Sequence, residues 1–109
     1  MEKMIERGLL YDYYGGLLNE KNRRIYEACV TDDMSLSEIS DEMGISRQAV
    51  SESLKRIDSK LRKYEDELGL IEKNGKLESI LHELEGVLSS EDMDMKKALL
   101  LVDRIKEVI

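Results

Sequence analysis

The stretch from Leu36 to Ile57, LSEISDEMGISRQAVSESLKRI, constrains the fold of this chain more than any other. Ile39 and Met43 stand four apart and share one helical face. Gly44 follows where the chain must reverse, and Ile45 falls at the corner. Ser46 is placed to cap a second helix, whose Val50, Leu54 and Ile57 hold it against the first. Glycine suits the reversal because it reaches positive φ with no Cβ penalty. Ser40 puts a small residue where two helices must approach closely. The spacing predicts a helix-turn-helix, a unit that can present its second helix to the major groove of DNA. The same spacing also serves as a helical corner with no ligand at all.

The polar face of the second helix separates these two meanings. At about 100° per residue, Gln48, Ser51, Glu52, Lys55, Ser59 and Arg62 point away from the apolar stripe, with Arg47 at its edge. Arginine and glutamine can pair bidentately with guanine and adenine, while lysine and serine suit phosphates. The DNA-contacting set expected here is Ser46, Arg47, Gln48, Ser51, Glu52, Lys55 and Arg56.

Charge limits that expectation and localises it. The chain carries a formal charge of −7, the wrong sign for a strong non-specific DNA binder. Yet Ser46–Lys63 holds six basic residues against two acidic ones, Glu52 and Asp58. The segments on either side are both acidic: five basic against ten acidic residues before it, six against twelve after it. One helix is basic and its surroundings are acidic.

Length and composition bound the rest. A chain of 109 residues can build one modest core but is marginal for two. The single cysteine, Cys29, allows no intrachain disulfide. No apolar run reaches the roughly 18 residues that a membrane span requires. The N-terminus lacks the basic segment and apolar core of a signal peptide, so a cytoplasmic protein is expected. Proline is absent, and the apolar spacing is helical throughout, so the fold class is all-α.

Along the chain the spacing predicts about six helices and no strand. The first runs from about Lys3 to Tyr14 with Ile5, Leu9 and Leu10 inward, and Gly15-Gly16 stops it. Asn19 caps the second, which buries Ile25, Ala28 and Cys29 and ends at Thr31-Asp32-Asp33. Ser35-Leu36-Ser37-Glu38 is a capping box opening the third. In the fourth, Val50, Leu54, Ile57, Leu61, Tyr64 and Leu68 alternate steps of four and three up to Gly69. That stripe outlasts any reading helix, so its excess is expected to pack on the acidic C-terminal third. Asn74-Gly75 is a turn signal, followed by a helix carrying Leu77, Ile80, Leu81, Leu84, Val87 and Leu88. Ser89-Ser90-Glu91-Asp92 is expected to cap the last helix, with Ala98, Leu101, Val102, Ile105 and Val108 or Ile109 as its apolar edge. The run Leu99–Val102 makes that helix apolar on more than one face, a sign of a second partner surface. Two parts result: a helix-turn-helix domain over 1–70 and a helical pair over 71–109 for packing and dimerisation.

Nothing in the sequence points to catalysis. His82 is the only histidine and reads as a helix-surface residue rather than a metal ligand. Cys29 reads as core rather than nucleophile. Asp32-Asp33 and Glu91-Asp92 lie at helix ends and read as solvated caps. Of the adjacent Tyr13 and Tyr14, one is expected in the core. No catalytic residue, metal, cofactor or small-molecule substrate is expected.

Two segments, 12–27 and 35–70, together carry a resemblance. DYYGGLLNEK at Asp12–Lys21 and NRRIYE precede SLSEIS at Ser35–Ser40, GISRQAVS at Gly44–Ser51 and YEDELGL at Tyr64–Leu70. These resemble the bacterial YlxM family, small helix-turn-helix proteins encoded beside genes of the signal recognition particle and its receptor. The resemblance covers residues 9–70; beyond that it is one of helical character. Asn19 stands where threonine or serine is more usual. The resemblance implies a helix-turn-helix like the fourth region of sigma factors, related to winged-helix folds but without a wing. On that comparison the recognition positions fall on Ser46, Arg47, Gln48, Ser51, Glu52 and Lys55. It further implies a regulator in the signal recognition particle pathway. The expected function is therefore a homodimeric DNA-binding regulator of that pathway, since operators are commonly paired half-sites. The alternative is an interaction module that contacts protein or RNA components of the particle and uses the helix-turn-helix only as scaffold.

Overall fold

The structure, a computed structural model, describes residues 3–109. Among them run six α-helices: α1 (Lys3–Tyr14), α2 (Glu20–Val30), α3 (Leu36–Met43), α4 (Arg47–Leu68), α5 (Leu70–Ser89) and α6 (Met95–Val108). A 3₁₀ turn, Gly15–Leu17, follows α1, and no strand occurs among the described residues. The fold is all-α. The chain divides into two compact units, Met1–Leu68 and Gly69–Ile109.

In the first unit the helix starts sit where the local chemistry puts them. Asn19 accepts from the Asn22 amide at 2.8 Å and opens α2. Ser35 and Glu38 close a reciprocal capping box at 3.1 and 3.0 Å, which satisfies two amides that a helix end leaves without partners. The backbone bond to Ser35 holds the Glu38 carboxyl below its usual range.

The core of this unit is built from Leu10, Tyr14, Leu18, Ile25, Tyr26, Ile39, Val50, Leu54, Ile57 and Leu61, all buried. Helix α1 faces inward through Arg7, Leu10 and Tyr14, not through the face carrying Ile5 and Leu9. Ile5 is 60% exposed and Leu9 36%. The reason is polar. Arg7 donates through Nε at 3.0 Å and Nη2 at 2.7 Å to Asp58 of α4, and Tyr26 of α2 donates to the same carboxylate at 2.6 Å. Burying Tyr14 completes the choice of face, with its ring 6.0 Å from that of Tyr64. Tyr11 and Tyr14 also donate to Glu27 and Glu65. Of the adjacent pair, Tyr14 is buried and Tyr13 half-buried.

Helix α1 packs along α4, so the extra turns of the long helix find their partner within this unit. Ile57 and Leu61 are buried, and α1 and α2 both pack on α4. Leu68, the last of the stripe, is exposed.

The second unit corrects two boundaries. Asn74-Gly75 is not a turn: both residues lie inside α5, which starts at Leu70 just after Gly69 in the left-handed region (φ 61). The helix continues because its neighbours favour it. Asn74 donates to Glu78 at 3.3 Å, and Lys76 pairs with Glu72 at 3.5 Å; both are four-residue spacings that stabilise a helix. The final helix is capped by Asp94, which accepts from the Lys97 amide at 3.2 Å, and not by Ser89–Asp92. Ser90 instead ends α5 in an extended conformation. Starting at Met95 lets Ala98 and Leu101 face α5, and these two with Ile80 are the buried residues of the pair. Leu81 and Leu88 are exposed, as are Leu99 and Leu100.

Candidate nucleic-acid interface

The corner between α3 and α4 is built from its backbone outward. Gly44 ends α3 at φ 68, ψ 30, and its amide donates to the Ser40 carbonyl at 3.0 Å. The Ile45 amide reaches the same carbonyl at 3.3 Å, while the Ser40 hydroxyl turns back to donate to the Ile45 carbonyl. Serine is thus both small enough for the approach and polar enough to satisfy the turn. Ser46 then accepts from the Ala49 amide at 3.0 Å and starts α4. Ile39 and Val50 are fully buried where the helices cross.

This geometry exposes the first turns of α4. Arg47, Gln48, Glu52, Lys55 and Arg56 are exposed, Ser51 is half-buried, and Ser46 lies exposed at the helix start. The expected contact residues therefore share one accessible end of α4, in unequal states. Ser46 is engaged as a cap. Gln48 donates its amide to Glu52 at 3.3 Å and must leave it to read a base. Arg56 reaches back to Ser53 at 3.3 Å. Further along, Arg62 pairs with Glu6 of α1, which draws it from the polar face toward that helix.

The residue that sequence reasoning missed is Asp58. It is one of two acidic residues in the basic segment, and Arg7 and Tyr26 hold it turned inward. Glu52 is left as the exposed carboxylate of that segment. Burial, with the bond to Asp58, pushes the Tyr26 hydroxyl far above the usual phenol range. No local signal links Arg7, Tyr26 and Asp58, because 51 and 32 residues separate the partners.

Cys29 and His82 lie in separate units. Burial pushes the Cys29 thiol up despite the pull of Arg7, which keeps it in the unreactive protonated form. His82 is exposed on α5, and no group of three metal-ligating side chains occurs among the described residues. No described helix is long and apolar enough to cross a membrane.

A capped first helix, a left-handed glycine and a second helix with an exposed polar end define a helix-turn-helix protein of wholly helical build. The family profile described as "Putative helix-turn-helix protein, YlxM / p13 like" matches residues 1–101, and the chain belongs to that family, UPF0122. A UPF0122 protein of Shouchella clausii is 37% identical over 108 residues, spanning 99% of this chain and 98% of the relative. One from Caldanaerobacter subterraneus is 50% identical over 66 residues, 61% of this chain and 56% of that one. A third, from Bacillus mycoides, is 33% identical over 108 residues, 99% and 98% of the two chains.

Proposed function

We propose that this protein is a cytoplasmic, non-enzymatic DNA-binding regulator that reads its site with the N-terminal turns of α4. The observation that carries the reading is the inward turn of Asp58, which leaves the exposed face of the basic segment cationic apart from Glu52. Arg47 and Gln48 are the base readers, Ser51 and Lys55 contact phosphates, and Arg56 adds charge at the edge. Replacing Arg47 or Gln48 with alanine should weaken specific binding by about 1–3 kcal/mol, the worth of a base-edge contact, with the circular-dichroism melt unchanged. The test is binding to fragments recovered by genome-wide occupancy, followed across salt concentrations. A steep salt slope supports the reading. Variants that bind as tightly as the parent refute the readout assignment.

The regulator acts as a homodimer, because paired half-sites need two reading helices. The helical pair supports this. Leu77, Leu81 and Leu88 of α5 and Met95, Leu99 and Val102 of α6 fall on one face of the α5–α6 hairpin at helical spacing. Two such faces together make a four-helix bundle. Family resemblance supports placing the regulated process in the signal recognition particle pathway. The −7 charge favours a second reading, an interaction module for protein or RNA of that particle. Affinity purification from the native cell, set beside the occupancy measurement, separates the two.

A further inference from the structure

A cleft of about 430 Å³ opens in the first unit between the start of α1, the loop before α3 and the reading end of α4. Three cationic side chains line it: Lys3 and Arg7 from α1, and Lys55 from α4. Arg7 gives Nε and Nη2 to Asp58, while its Nη1 meets the Met4 and Cys29 sulfurs at 3.9 Å each. Thioether and thiol sulfur are weak acceptors, so this charged donor retains capacity for a stronger one. Met4 and Leu36 add apolar wall, both part-exposed in the present state. Asp33 also lines the cleft; its positive φ of 53° belongs to the turn that ends α2, where the Met34 amide donates to the Ala28 carbonyl at 2.9 Å.

Three cations against the single lining carboxylate of Asp33, beside apolar walls, fit a ligand with an anionic oxygen group on an apolar body. We infer that this cleft binds a small organic acid, with its carboxylate toward Lys3, Arg7 Nη1 and Lys55 and its apolar part against Met4 and Leu36. The inference deepens the DNA-binding reading and rests on it for its consequence. Ser51 and Lys55 line the cleft and also belong to the DNA face, so the acid and the DNA compete. Bound acid releases DNA.

The test titrates the full-length ¹⁵N-labelled protein with 4-phenylbutyrate, with the neutral 4-phenylbutanamide, and with inorganic phosphate alone. The expected result is saturable shifts at the cleft residues with the carboxylate and weak or no response to the other two. Lys3→Glu should bind the carboxylate about tenfold more weakly or worse, while its melt stays that of the parent, and DNA release is scored against each protein's own affinity without ligand. The carboxylate should release DNA from the parent and not from Lys3→Glu. Equal binding of the amide, full saturation by phosphate, or unchanged affinity in Lys3→Glu overturns the site. Binding of the acid without DNA release overturns its regulatory role. Failure of the parent to bind DNA sinks the DNA-binding reading, and the shift titration still decides the cleft.

Discussion

At Gly44 a built Cβ meets nothing within 4 Å, so space does not restrict the position. The left-handed backbone at φ 68 does. Valine there should destabilise the protein by about 1–3 kcal/mol, because β-branched residues tolerate positive φ poorly; an unchanged thermal midpoint would refute this. At Tyr26 the governing fact is a folded-state pKa raised above the ordinary 10.0, first by burial and then by the bond to Asp58. A raised pKa stabilises the fold fully below the unfolded value and loses that contribution as pH climbs through the folded one. Denaturation midpoints should therefore hold up to about pH 10, where free tyrosine titrates, and fall above it. Tyr26→Phe should be less stable at neutral pH by about 1–3 kcal/mol but show a flatter alkaline limb. A limb as steep as the parent's would assign the alkaline loss to other groups.

Among the elements, those whose signals are local were legible from the residues alone. Asn19, Ser35 and Ser46 cap helices through atoms three positions away, and Gly44 turns the chain by its own φ. The polar end of α4 was legible for the same reason, since one helix fixes its own faces. Long-range choices were not. Which side of α1 turns inward depends on Arg7 meeting Asp58, and the Leu9 spacing carries no trace of that partner. Asn74-Gly75 misled because the dipeptide favours turns only where its surroundings do not favour helix. Here α5 packs on α6, and Ile80 is buried. Gly75 is consequently a weak point in a helix interior, and its Cβ would meet nothing within 4 Å. Gly75→Ala should stabilise α5 by about 0.5–1 kcal/mol. A lower melting temperature would place strain where none is seen.

For the molecule as a whole, the second unit keeps Ile80, Ala98 and Leu101 buried, a small core for two helices. Leu81 at 47% and Leu99 at 57% exposure lie on the face proposed for association. Sedimentation equilibrium at micromolar concentration should find a dimer, and Leu81→Lys or Leu99→Lys should give a folded monomer with weaker DNA binding. A monomeric parent would overturn the four-helix arrangement. The unit boundary at Leu68 also has an optical meaning. The chain has no Trp, and its five tyrosines are Tyr11, Tyr13, Tyr14, Tyr26 and Tyr64, all of them before that boundary. Tyrosine emission and near-ultraviolet dichroism are therefore blind to the helical hairpin, whereas far-ultraviolet dichroism sums over every helix. Coincident unfolding curves from the two signals would mark one cooperative transition. Separated curves would give the stability of each unit from the unlabelled protein.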